Sequence, residues 1–239
     1  MGKVQEYENA MGTYHRSFFF RNIGLLVAVV VVSLQAVSLA NVPWSWEMLS
    51  AQYLACFIVA YLATDFINGF VHMWMDNNND YDSAIGPLVA VFHLHHKAPA
   101  YRSHHPLAIY FFESGSKNWL VVYLGLVILA QQAFSLPASL SFILASVGVL
   151  SSVAELSHYW CHNSSHPIIR GLQRVGILLS PEHHEVHHSR DNTHYAFLNG
   201  ATDPLLNFIA KRMFDGYRER ADLHAAAYAG DMNANRGAP

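Results

Sequence analysis

Charge is scarce in this chain. Only 13% of its 239 residues are Asp, Glu, Lys or Arg, about half the roughly 25% of an ordinary soluble domain. Cysteine is scarcer still. Cys56 and Cys161 are the only two, too few for a disulfide framework, and Cys56 lies in an apolar run, so reduced thiols are expected. The net charge of -3 comes with no basic face carrying interleaved aromatics, so nucleic acid is not an expected partner. Cys-x-x-Cys-His, Gly-x-Gly-x-x-Gly and iron–sulfur spacings are all missing. Any redox chemistry would therefore draw its electrons from a separate protein.

What the chain has in quantity is apolar sequence. Hydrophobic residues make up 52%, and four stretches approach the roughly 20 residues a helix needs to cross a hydrocarbon core about 30 Å thick. They run from Ile23 to about Ala40, from Met48 to Val71 with Asp65 its only charge, from Trp119 to Leu136, and from just after Pro137 to about Leu156. All fourteen Lys and Arg lie outside the loops "NVPWSWE" and "QQAFSLPAS". By the positive-inside rule, both termini and the segments 72–118 and 157 onward are expected on the cytoplasmic side. The expected fold class is therefore all-α: an integral membrane protein with about four transmembrane helices and a cytoplasmic histidine-rich helical cap. Residues 1–22 read as a cytoplasmic segment, 23–224 as one membrane domain and 225–239 as a disordered tail. "IGPLVAVF" from Ile85 is too short to span and is expected to dip into the bilayer or lie against it. The amphipathic "HPIIRGLQRVGILLSP" and "DPLLNFIAKRMFDGYRERAD" suit helices lying in the interface or packed on protein.

Histidine is the second excess. All sixteen fall on the side that holds the Lys and Arg residues. Helical positions i and i+4 point two imidazoles the same way, and His158 with His162, His183 with His187, and His184 with His188 are such pairs. Ser180 as N-cap, Pro181 at the first position and Glu182 in the first turn predict the start of a short helix carrying "HHEVHH". His95, His96, His104 and His105 sit in the loop between the second and third spans, and His72 ends the second span with Asp76 one turn on. Asp65 and Glu155 lie two turns deeper on the helix faces of His72 and His162. Ionisable groups so placed are costly, and a role accepting distal ring N–H groups is expected. For Asp65 the competing reading is a cap or interhelical hydrogen bond.

Two metal chemistries fit these residues. His184, Glu185 and His188 match the His-Glu-x-x-His signature of a zinc hydrolase, which needs a third ligand and an open water position. That reading leaves His95, His96, His105, His158, His162, His183 and His187 without a use. Two irons would employ them, activating O2 against an unactivated C–H bond of a lipid. A non-catalytic metal-binding membrane protein is a further alternative. It is disfavoured as a transporter because the ligands sit at one surface and not near the bilayer midplane.

The order of these motifs resembles the Kua-type, plasmanylethanolamine desaturase-like family of lipid desaturases, from about Asp65 to Asp222. "DFINGFVH" is similar to its opening Asp-x-x-x-Gly-x-x-His element, with Asp76 at an acidic position beyond it. "FHLHHKAP" resembles its Phe-x-x-His-His-x-x-Pro element, "HYWCH" its His-x-x-x-His element and "SPEHHEVHH" its His-His-x-x-His-His element. The resemblance implies a di-iron, O2-dependent lipid desaturase. It would form the vinyl ether of plasmalogen-type phospholipids from alkyl ether lipids, or desaturate a phospholipid acyl chain. A lipid hydroxylase on the same scaffold is the alternative. The implied iron ligands are His72, His95, His96, His105 (or His104), His158, His162, His183, His184, His187 and His188. Asp65, Asp76, Glu155 and His194 stand around them. The implied partners are a membrane lipid and an electron donor of cytochrome b5-like or ferredoxin-like type. "DNNNDYD" and "AFLNGATDP" depart from the family's Trp-Gly pair and Thr-Thr-Gly-Trp-like run, which bears on the lipid accepted more than on the chemistry.

Overall fold

The computed structural model describes residues 2–46, 50–96, 105–113, 117–164, 166–190 and 192–214. Every regular element among them is helical: α1 Lys3–Arg16, α2 Phe18–Ala40, α3 Ala51–Asn77, α4 Gly86–His95, α5 Pro106–Ala108 continued by a π-helical turn Ile109–Glu113, α6 Asn118–Ala133, α7 Ala138–Asn163, α8 Pro167–Arg174, α9 Pro181–Ser189 and α10 Asp203–Met213. The expected all-α membrane class holds.

Three helices, α2, α3 and α7, are long and apolar enough to cross a membrane. The third expected span is shorter than its apolar stretch, because Phe134 is extended and ends α6 at Ala133. Sixteen residues rise only about 24 Å. α6 still returns the chain from one end of the bundle to the other. At its far end the Gln131 amide donates to Ser38 O of α2 and Ser141 Oγ of α7 (3.1 and 2.8 Å). Its flank carries exposed Val122, Leu126 and Leu129, and its inner face packs Leu120 and Leu124 on Val31 of α2.

The centre of the bundle is the α3–α7 pair. Ala60 of α3 meets Val147 and Leu150 of α7, and the Asn68 amide donates to Ser151 Oγ at 2.9 Å. With no hydrophobic drive between helices in lipid, such small residues and interhelical hydrogen bonds are the adhesive. At 27 and 26 residues, α3 and α7 rise about 40 Å. That exceeds the hydrocarbon core by about 10 Å, and the histidines of both helices lie in their last two turns.

α1 is a helix laid across α4. Tyr7, Ala10 and Met11 pack with Met75, Tyr81, Val89 and Ala90. The segment from Ile85 therefore buries Val89 and Ala90 against protein, where the sequence favoured the bilayer; its apolar residues meet an apolar face of α1 first. α8 leaves Ile168 exposed, and α10 leaves Leu205 and Phe208 exposed. The expected tail, 225–239, lies outside the described residues.

Candidate metal centre

Four helix ends converge at one end of the bundle. α3 contributes His72 and Asp76, α4 His95 and the following His96, α7 His158 and His162, and α9 His184, His187 and His188. α9 forms as its sequence predicts, with Ser180 Oγ accepting from His183 N at 3.1 Å and Pro181 at the first position. The side chains fall into two groups able to hold an ion. One is His95, His158, His162, His184 and His188; the other is His72, Asp76, His96 and His187. The groups are contiguous, since His95 and His96, and His187 and His188, are chain neighbours divided between them.

In the first group, Nε2 atoms touch in sequence: His95 to His158 at 3.1 Å, His158 to His184 at 3.0 Å and His184 to His188 at 2.9 Å. A neutral imidazole nitrogen offers one in-plane position, filled by a proton or a lone pair. Protons satisfy this run only through bifurcated bonds, whereas one central cation serves every lone pair at once. Metal–nitrogen bonds of about 2.1 Å put neighbouring nitrogens about 3.0 Å apart at right angles and about 3.4 Å apart in a tetrahedron. The observed spacings are those of donors close enough to share one ion.

The second group centres on Asp76. Its Oδ1 lies 2.7 Å from His96 Nε2, and its Oδ2 lies 3.3 Å from both His72 Nε2 and His187 Nε2. Asp76 Oδ2 and His187 Nε2 are buried without a hydrogen-bond partner, a costly condition that a cation between them removes. His72 Nδ1 donates to Tyr195 O and His187 Nδ1 to Thr193 O, each at 2.8 Å. Both bonds fix the tautomer that leaves Nε2 as a lone pair facing the group. Phe197 stacks on His158 at 4.3 Å between centroids and lies equally close to His72, walling the site with apolar surface.

Burial sets the protonation of the imidazoles. It holds His95 and His184 well below the usual histidine range, helped by the neighbouring rings, and takes His188 down to about 2. These imidazoles are neutral at physiological pH, the form metal binding requires. At His187 burial again pulls down, but the adjacent Asp76 carboxylate outweighs it and the value is raised.

The remaining expected residues lie elsewhere. His183 belongs to neither group; its Nε2 is 2.5 Å from Asp203 Oδ2. His105 is exposed at the N-cap of α5, and His104 lies outside the described residues. The Asp65 carboxylate accepts from the backbone N–H groups of Leu198, Asn199, Gly200 and Thr202 and from the Thr202 hydroxyl, which is the capping alternative. Glu155 belongs to neither group. His194 contacts Thr193 Oγ1 at 2.7 Å, and its ring lies tilted 4.6 Å from that of His183. His93 engages Tyr81 Oη and Met75 O. Glu185, the base of the zinc reading, is exposed.

The sequence reading missed Asp203, Phe197 and the two carbonyl acceptors. Asp203 carried a signal, since Asp-Pro opens α10, but it announced a helix start and not an imidazole partner. The carbonyls have none, being backbone.

A family model described as lipid desaturase domain matches residues 61–215. The chain is 29% identical over 172 residues to the plasmanylethanolamine desaturase of Myxococcus xanthus, an alignment covering 69% of this chain and 58% of that relative. The chain thus spans somewhat over half the length of the curated relative it matches. No solved structure matches.

Proposed function

The chain belongs to the Kua-type lipid desaturase family, and from that premise we propose that it is a membrane-bound, di-iron, O2-dependent lipid desaturase. Supporting this reading is one observation above the rest: two contiguous donor groups, five imidazoles in one and three imidazoles with a carboxylate in the other. Two irons, when bound there, supply the capacity to reduce O2 while hydrogen is removed from an unactivated C–H bond. His95, His158, His162, His184 and His188 would hold one ion, and His72, Asp76, His96 and His187 the other. Desaturation takes two hydrogens from adjacent carbons. Those two hydrogens, as two electrons and two protons, together with two more electrons from a donor protein of cytochrome b5-like or ferredoxin-like type and two more protons from solvent, convert one O2 to two waters.

The lipid is proposed to be an alkyl-ether phospholipid, desaturated to the vinyl ether, because the relative from Myxococcus xanthus carries the name plasmanylethanolamine desaturase. Exposed Ile58, Leu62 and Phe70 lie on one broad flank of α3 leading toward its histidine-bearing end, an apolar surface suited to an alkyl chain. Phe197 beside His72 and His158 keeps water from the reacting carbon. The site and both termini are assigned to the cytoplasmic side by the Lys and Arg distribution. The zinc hydrolase reading is disfavoured by the exposure of Glu185 and by the sharing of His184 Nε2 with His158 and His188.

Expression in a host supplied with alkyl-ether phospholipids tests this directly. New vinyl ether lipid, absent with the His184→Ala chain, is the expected result; an unchanged lipid profile would overturn the substrate assignment.

A further inference from the structure

Between α9 and α10 the chain runs as an irregular strap, residues 192–202, across the end of α3. Two of its non-glycine residues, Asn192 and His194, adopt left-handed backbone with φ of 58° and 59°, a conformation that side chains other than glycine enter rarely. They flank Thr193 and precede Tyr195, whose carbonyls receive the Nδ1–H groups of His187 and His72. The alternation aims two carbonyls, two residues apart, at two rings from different helices.

The conformation is imposed from outside the strap. α10 grips its first half. The Asn207 side-chain oxygen accepts from His194 N at 2.8 Å. Asn192 donates to Ala210 O and Phe214 O and accepts from the Tyr195 hydroxyl. Asp203 Oδ1 accepts from Ala196 N at 3.0 Å, while its Oδ2 holds His183 of α9. α3 grips the second half through Asp65. Gly69 of α3 makes the close approach possible: a Cβ there would meet Ala196 backbone at 3.1 to 3.2 Å and collide with Leu206 of α10. Gly200, at φ +87°, stands where a Cβ would strike the His183 ring.

We propose that the strap is the positioning device of the second metal group, with Asn207 and Asn192 as positioning residues that act through Thr193 O and Tyr195 O on the ring orientation of His187 and His72. His183 serves the same device through Asp203. The inference rests on the two-metal reading of the site. It separates the ions: the half of the strap that Asn207 grips sends its Thr193 and Tyr195 carbonyls to His187 and His72, while the strap's contacts toward the five-imidazole group, Phe197 on His158 and Leu198 O on Ser157, lie in the half held by Asp65, so disturbing Asn207 weakens one ion more than the other.

The test is iron binding to the full chain in lipid nanodiscs, titrated against a competing chelator, with no turnover required. The wild-type chain should hold two irons. Asn207→Ala should weaken one of them about ten- to a hundred-fold, the range for losing an outer-shell partner, and affect the other less. Asn207→Asp, which keeps an acceptor for His194 N, should restore it; a merely destabilised fold would weaken both ions alike and gain nothing specific from the aspartate. Should Asn207→Ala not fold, Asn192→Asp, which loses the donors to Ala210 O and Phe214 O, should give the same selective loss. Two irons bound as tightly by the variants as by the wild type would overturn the positioning role alone. A wild-type chain that fails to hold two irons would overturn the metal reading and the inference with it.

Discussion

His158 Nε2 and His184 Nε2 lie 3.0 Å apart, although one ends a long membrane helix and the other belongs to a nine-residue helix beyond it. Nitrogens with lone pairs do not hold that separation for their own sake, so His184→Ala tests what does. It should abolish lipid product and reduce bound iron from two ions to one. Metal analysis of the purified variant beside lipid profiling reads both.

Glu185 gives the opposite expectation. It is exposed on α9 while His184 beside it is buried, so Glu185→Gln should leave product formation within about two-fold, as for a surface substitution worth at most about 0.5 kcal/mol. A zinc hydrolase using Glu185 as base would lose its activity with this change, so turnover of the variant discriminates between the two chemistries.

Removing the Asp65 carboxylate should cost stability. Asp65→Ala leaves backbone N–H groups of the strap without an acceptor in a buried place, and one such group costs about 1–3 kcal/mol. The several involved should lower the melting temperature of detergent-solubilised protein markedly and reduce folded yield. Asp65→Asn keeps one accepting oxygen and should fall between the two.

Stability of the metal-free protein should depend on pH with a definite sign. The folded state holds His95, His184 and His188 below the ordinary histidine value, His188 down to about 2. The unfolded chain therefore binds more protons as pH drops below about 6.5, and stability falls with it. His187, raised by Asp76, opposes this: its contribution is present at low pH and lost as pH rises through its folded value. Burial lowers His194 as well, so the lowered groups outnumber the raised one, and the net expectation is decreasing stability from about pH 6.5 downward. Thermal melts of chelator-treated protein across that window check it, and added iron should suppress the slope near its upper end.

The features legible in the sequence are those written in local spacing. α9 began where Ser180 and Pro181 placed it, and the i,i+4 pairs His158–His162 and His184–His188 both closed into one group. Tertiary partners were less legible. Spacing grouped His183 with its neighbours, but a buried carboxylate twenty residues on, Asp203, lies against it. Asp76 was placed as an outer residue and stands among the imidazoles, because only the fold brings His96 and His187 to its two oxygens. Asp65 was read through its own helix face, whereas its partners come from a strap more than 130 residues away in the chain. α6 read as long as the other spans because hydropathy does not register the extended residue that ends it.

The most direct measurement of the central claim is the metal content of the full chain purified from iron-replete cells in lipid nanodiscs. The account predicts two irons per chain, both lost together with lipid desaturation on chelation and both recovered on readdition of ferrous iron. One zinc per chain and no iron would contradict it.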